Sequence, residues 1–317
     1  MALTLEQYAT YLDTRDLPWP APPAVERPKA RPHVQRLPGL RAVLWNVYGT
    51  LVAIPGGDLL FEHPVAFVMS AALEKTIQEF KMWGSMSRKP GQPSEYLGQV
   101  YSQLLLEHRS GGPGEKHPEP QVEKIWEAIL MRLLQKDYQF DVGFYGSINE
   151  LSRKLAYFFH ASLQGTAAYP GAAAALRAVR DAGLAQGLLA DGQCFTTVQL
   201  QRGLAAQDAG AKLDGLLDKG LVALSCDVKG RKPSERLFRH ALGLLQAKGI
   251  DSGQVLHVGS RLVQDIGPAK RLGMKTALFA GDKASLLASG EQLKENAYRP
   301  DVLLTELDQI AEVVAGS

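Results

Sequence analysis

Apolar and polar positions divide this chain into three textures. Residues 41–46 (RAVLWN) form an apolar run too short for a helix, which predicts a buried strand. From about 60 to 165 the apolar positions recur at helical spacing, predicting helices over 65–83, 96–108, 121–138 and 148–159 with no strand among them. Polar, Gly- and Pro-rich loops separate these helices, notably 110–114 (SGGPG). Beyond 165 the pattern alternates. Helices are predicted over 173–182, 195–204, 234–248 and 265–272, and strands over 185–190, 220–224, 254–258, 275–279 and 301–304, before a closing helix.

The first forty residues are different again. Leu5, Tyr8, Tyr11 and Leu12 predict a short amphipathic helix. Residues 17–38 then hold seven of the chain's eighteen prolines. Proline fixes φ and removes a backbone donor, so this stretch predicts an extended arm. An arm lying on its own domain is favoured over one docked in a partner's aromatic groove.

Strands alternating with helices imply right-handed crossovers and a parallel sheet. The predicted fold class is α/β: a Rossmann-like parallel-sheet core, a helical insertion and a proline-rich N-terminal arm. The expected division is 1–39 for the arm, 40–57 with 166–317 for the core, and 58–165 for the insertion.

Composition narrows the function only by exclusion. A net charge of +2 over 317 residues gives no field for nucleic acid or an acidic membrane. Two cysteines, Cys194 and Cys226, cannot make a disulfide framework and suit a reducing compartment. With no apolar run of about 18 residues and no signal-like N-terminus, a cytoplasmic location is expected, with no membrane or nucleic-acid partner. Oligomeric state is not encoded in any feature of this kind.

In parallel α/β sheets chemistry collects at the carboxyl ends of the strands. There the chain carries Asn46-Val-Tyr-Gly-Thr-Leu51, Ala190-Asp-Gly-Gln193, Gly230-Arg-Lys-Pro233 and Val258-Gly-Ser260 leading to Asp265. In order and spacing these four segments, with Tyr169-Pro-Gly171 ahead of the second, resemble the motifs of the haloacid dehalogenase superfamily across roughly residues 40–310. The resemblance implies a hydrolase scaffold with a helical cap inserted after the first motif. It also implies attack by an aspartate to form an aspartyl-enzyme ester, with Mg²⁺ in the phosphatases and no metal in the haloacid dehalogenases.

Set against that implied chemistry, several positions depart. Asn46 stands at the nucleophile position, and a neutral carboxamide is a poor nucleophile that brings no charge to a metal. Tyr48 replaces a second aspartate, Ala190 a phosphate-holding Ser/Thr, Asp191 an asparagine and Ser260 an acidic residue. Gly49, Thr50, Lys232 and Asp265 are retained. Tyrosine at 48 and serine at 260 match the metal-free branch, which still needs its aspartate. Deamidation of Asn46 would restore a carboxylate, but β-branched Val47 hinders the cyclic imide route.

The expectation is therefore a pseudo-hydrolase: Asn46, Tyr48, Thr50 and Lys232 at the catalytic positions, and Asp191, Gly192 and Ser260 facing a small ligand, with Lys232 favouring an anion. No bound cofactor is expected; if magnesium binds, Asp265 is the residue left to hold it. The rivals are an active hydrolase with another nucleophile, such as Asp191, and a partner-binding protein working through arm and cap. Blander roles are weighed beside these. Lys232 and Asp265 suit a structural ion pair, His257 a satisfied core histidine, and Cys194 a small buried hydrophobe. Trp83, Trp126 and the aromatics of 138–159 suit the core of the helical insertion.

Overall fold

The computed structural model describes residues 1–86, 91–109 and 114–316. In chain order the strands are β1 (Ala42–Trp45), β2 (Val52–Ala53), β3 (Ala167–Ala168), β4 (Ala185–Ala190), β5 (Val222–Leu224), β6 (Val255–Gly259), β7 (Lys275–Phe279) and β8 (Val302–Leu304). Six of them form one parallel sheet in the order β5-β4-β1-β6-β7-β8. The fold is thus α/β with a Rossmann-like parallel sheet.

Every residue of β1 is buried, because its alternating side chains serve two cores. Val43 and Trp45 join the cluster under one covering layer, while Ala42 and Leu44 join the cluster under the other. Trp45 Nε1 donates to Gln186 Oε1 at 2.9 Å, so its one polar atom is satisfied inside the sheet. The short antiparallel pair β2–β3 brackets the helical insertion at its entry and exit. Two-residue strands carry no periodic signal, so this pair is not predictable from pattern.

The helices are α1 (Leu5–Asp13), α2 (Ala66–Glu79), α3 (Trp83–Met86), α4 (Pro93–Arg109), α5 (Val122–Leu134), α6 (Val142–Tyr145), α7 (Ile148–Leu163), α8 (Ala172–Asp181), α9 (Thr196–Gln207), α10 (Ser225–Val228), α11 (Glu235–Gln246), α12 (Gly267–Arg271) and α13 (Ile310–Val314). Helix α7 starts on a capping box in which Ser147 and Glu150 satisfy each other's backbone N–H groups. Helices α2, α4, α5 and α7 enclose an aromatic core that includes Trp126, Tyr101 and Phe159.

Three local expectations are corrected. The predicted helix 65–83 ends at Glu79, because Lys81 turns into a left-handed conformation at φ 51°. Trp83 consequently lies on the surface, 58% exposed, and is not core. The predicted helix 265–272 is preceded by a π-turn, Leu262–Ile266, which brings Asp265 inward. The predicted loop 110–114 falls mostly outside the described residues.

The N-terminal arm packs on its own chain. Helix α1 is closed by a Thr4–Gln7 capping box and buries Leu5, Tyr8, Ala9 and Leu12. Tyr8 lies against Phe80 and Tyr145, and Trp19 against Phe158. The arm crosses Gly165 so closely that a Cβ there would sit 2.3 Å from the Ala21 carbonyl oxygen. His33 then exchanges backbone hydrogen bonds with Leu303 on the outer strand β8, at 2.9 and 2.8 Å. The arm therefore straps the helical layer to the far edge of the sheet.

Deleting residues 1–38 should expose the Phe80–Tyr145–Phe158 surface, lower the melting temperature and produce concentration-dependent self-association in size-exclusion chromatography. A deletion that stays monomeric with unchanged melting would show the arm to be dispensable. Among the described residues no helix is long and apolar enough to cross a membrane.

Candidate functional site

The carboxyl ends of β1, β4 and β6 and the loop after β5 converge on one cleft, roofed by the segment before α5. Asn46, Tyr48, Asp191, Gly192, Lys232 and Asp265 all line it. About 400 Å³ of open space is counted out to the mouth, and only ≈ 20 Å³ of it is wide enough for the centre of a water molecule.

Asn46 is fixed in one orientation. Its Nδ2 donates to the Tyr48 carbonyl at 2.8 Å and to Thr50 Oγ1 at 3.2 Å, while its Oδ1 accepts from Lys232 Nζ at 2.7 Å. The tight turn that makes this possible needs Gly49, which has φ 78° and whose added Cβ would lie 3.0 Å from Ser260 Oγ. Thr50 is retained as an acceptor for the amide and is itself fully buried.

Lys232 is buried and saturated. Its ammonium is paired with Asp265 Oδ1, donates to Asn46 Oδ1, and reaches the Leu189 carbonyl at 3.4 Å. Asp265 is equally occupied: Oδ2 accepts from the backbone N–H groups of Ser260 and Arg261 at 3.1 and 3.0 Å, and Oδ1 faces His257 Nε2 at 3.4 Å. Burial works against the Asp265 carboxylate, yet the Lys232 charge and the His257 bond hold its pKa far below the usual range. His257 also contacts the Leu44 carbonyl at 3.1 Å, and burial depresses its pKa; it is a satisfied core histidine. The ion pair is present as the sequence suggested, and an anion-binding Lys232 is not, because every donor direction is spent.

Three more expectations change at this point. Tyr48 lines the cleft, but its hydroxyl is turned away to Gln199 Oε1 at 2.5 Å and Thr196 Oγ1 at 3.1 Å. Burial raises its pKa, which keeps the hydroxyl protonated at neutral pH. Gly192 lines the cleft with its N–H already donated to Ser225 Oγ at 2.9 Å. Ser260 does not line it at all; it is fully buried behind Gly49. Burial pushes the Cys194 thiol pKa up, which disfavours the thiolate.

The donor set does not fit magnesium. Mg²⁺ needs several hard oxygens in octahedral geometry. Both oxygens of Asp265 are taken, the Tyr48 carbonyl accepts from an amide N–H, and the Asn46 oxygen faces an ammonium. No group of three His, Cys, Asp or Glu residues suited to a metal occurs among the described residues.

Sequence reasoning missed Asp58, Glu119, Arg231 and Arg261, which also line the cleft. Arg261 Nη1 donates to Asp58 Oδ2 at 2.5 Å, and its Nη2 to the Gly56 carbonyl at 3.1 Å. Glu119 comes from the helical insertion. Gln193 Nε2 donates to Glu119 Oε1 at 2.7 Å, Arg231 Nε lies 3.7 Å from Oε2, and Oε2 has no hydrogen-bond partner. Arg231 and Arg261 are adjacent to motif residues, which is a usable signal. For Glu119 the one signal is its place between Pro118 and Pro120, a rigid non-helical setting.

The chain is similar to known proteins over parts of its length. A family model described as HAD-hydrolase-like matches residues 230–310. A glyceraldehyde 3-phosphate phosphatase from Pyrococcus furiosus is 31% identical over 146 residues, 46% of this chain and 53% of that protein. The match thus spans about half the length of that relative. Among solved structures, a 2-haloacid dehalogenase from Pseudomonas syringae pv. Tomato DC3000 is 21% identical, with 87% of this chain and 98% of that one covered and a TM-score of 0.47. A HAD phosphatase from Thermococcus onnurineus is 18% identical, with 88% and 99% covered and a TM-score of 0.45. Four motifs converge in order at the strand ends of one parallel sheet, and the HAD-hydrolase-like family model matches the stretch that carries the last two of them.

Proposed function

We propose that this hydrolase-like chain has given up aspartyl-ester chemistry and uses its cleft to bind a small ligand. Residues 58–165 act in this reading as the cap over a core formed by 40–57 and 166–317, and residues 1–39 act as the strap. The carrying observation is the Asn46 carboxamide. Its NH₂ bridges the Tyr48 carbonyl and Thr50, a place where a carboxylate oxygen would face a carbonyl oxygen at 2.8 Å. The amide donates to a carbonyl that a carboxylate oxygen would repel. The relative from Pyrococcus is a phosphatase by name; here Ala190 offers no hydroxyl to phosphate, and Asp191 adds repelling charge.

Wild-type protein should show no turnover of p-nitrophenyl phosphate or 2-chloropropionate above background, with or without Mg²⁺. Loss of a nucleophile alone can cost on the order of a millionfold. Asn46→Asp should not restore phosphatase turnover, because Ala190 and Asp191 remain. Wild-type turnover abolished by Asp191→Ala would overturn this reading in favour of a relocated nucleophile. Phosphatase activity gained by Asn46→Asp would show that only the nucleophile had been lost.

A further inference from the structure

We propose that Glu119 and Asp191 form the recognition element of this cleft and that they take the ammonium head of a small primary amine. The inference rests on the ligand-binding reading above and names the class of ligand.

The first support is an unsatisfied atom. The Glu119 side chain is 3% exposed and the residue lines the cleft; its buried Oε2 makes no hydrogen bond and has the Arg231 guanidinium 3.7 Å away. Leaving a buried acceptor without a hydrogen bond is costly, so a donor arriving there is favoured. Asp191 supplies the second carboxyl. Its Oδ1 accepts from the Lys232 backbone N–H at 2.8 Å, and the residue is partly open to the cleft. An ammonium has three donors and no acceptor, which suits two carboxyls.

Charge points the same way. The cleft is lined by four carboxyl groups, Asp58, Glu119, Asp191 and Asp265, and by three cations, Arg231, Lys232 and Arg261. Lys232 is committed to Asp265 and Asn46, and Arg261 to Asp58 and the Gly56 carbonyl. With every group ionised one negative charge is left over, which an ammonium cancels and an anion doubles. A divalent metal is disfavoured because Glu119 and Asp191 bring only two carboxylates beside the guanidinium of Arg231. Size fits as well, since the narrow space admits a group about as large as one water, while Leu59 and Phe61 offer an apolar wall to the rest of the ligand.

Glu119 is held where it can act. The segment around it is zipped to the loop carrying Lys232: Arg231 N–H donates to the His117 carbonyl at 2.8 Å, and Glu119 N–H to the Lys229 carbonyl at 3.4 Å. Gln193 adds a clamp, donating to the Pro120 carbonyl at 2.9 Å and accepting from Val122 N–H at 3.1 Å. The helical insertion therefore contributes a specificity group to a site whose other members belong to the sheet.

A proton competes with the ligand for Glu119. Burial, and then the Asp191 charge, push the Glu119 pKa up to about 8 against the opposing effects of Arg231, Gln193 and Ser225. The other charged groups lining the cleft are Asp58, Lys232, Arg261 and Asp265, and burial raises the Asp191 pKa as well. An arriving ammonium displaces that proton. Amine affinity should therefore rise roughly tenfold per pH unit below pH 8 and level off above it.

The test is isothermal titration of full-length protein with ethylamine and ethanolamine hydrochlorides at pH 6, 7 and 8, with acetate, inorganic phosphate and MgCl₂ as comparators. Binding of the amines with proton release, weakened at least tenfold and made less pH-dependent by Glu119→Gln, is expected. Asp191→Asn should weaken binding in the same way, and thermal melts confirm that each variant folds. Amines that do not bind, or bind Glu119→Gln equally well, overturn the proposal, as does a preference for acetate, phosphate or Mg²⁺. Wild-type hydrolytic turnover would sink the function proposed above without touching amine binding, so the two failures are distinct.

Discussion

Asp265→Ala is expected to destabilise the protein by about 3–5 kcal/mol, read as a lower midpoint in chemical denaturation, because it strands a buried ammonium. Lys232 is 4% exposed, and Asp265 is its one ion-pair partner among the described residues. The substitution also frees the backbone N–H groups of Ser260 and Arg261, which now donate to Oδ2. Removing both charges together, as in Lys232→Met with Asp265→Leu, should recover most of the loss, since the desolvation cost then vanishes with the attraction. A single Asp265→Ala variant within 1 kcal/mol of wild type would contradict the assignment.

The pH dependence has a definite sign. Asp265 is held in the folded state far below its unfolded pKa of about 3.9. Its contribution is fully present above that unfolded value and is lost as pH falls toward the folded one. The gap between wild type and Asp265→Ala should accordingly be flat from pH 6 to 8 and narrow below about pH 4.

Gly187→Ala should be comparably damaging, by a different route. Gly187 lies in β4, and an added Cβ would sit 2.1 Å from the Leu221 carbonyl oxygen and 2.5 Å from the Leu221 Cβ. The obstacle is backbone leading into β5, so no side-chain rotation relieves it. Overpacking typically costs about 1–3 kcal/mol, and the upper end or beyond is expected here. Gly243→Ala is the matched control. That residue lies in α11, exposed, with nothing within 4 Å of an added Cβ. It should stabilise by up to about 1 kcal/mol through helix propensity. Two Gly→Ala changes of opposite sign in one protein separate backbone crowding from backbone entropy. Equal midpoints for both variants would refute the crowding argument.

These two cases also mark what pattern can and cannot reveal. Strands β4 and β7 fall at the predicted bounds 185–190 and 275–279, because each is an apolar run delimited by helix-ending glycine and polar turns. The helices of the insertion were legible from spacing, whereas the early end of α2 was not. Lys81 adopts a left-handed conformation that no propensity favours, and the chain accepts it so that Met82 is buried while Trp83 remains exposed. The candidate site divides in the same way. Asn46, Asp191, Lys232 and Asp265 were legible because each follows a strand that the pattern locates. Glu119 was not, for its partner Gln193 lies 74 residues away and belongs to another motif.

By itself, then, the sequence determined the parallel sheet, the helical insertion, the packed proline arm and a carboxamide at position 46. Those features depend on local periodicity, on proline geometry and on the identity of single side chains. Only the tertiary structure decided that Lys232 is spent on Asp265 and Asn46, that the Tyr48 hydroxyl turns away from the cleft, that Ser260 lies behind it, and that Glu119 lines it. The reason is physical: a side chain's partners are set by which distant segments close over it, and no one-dimensional spacing records that closure.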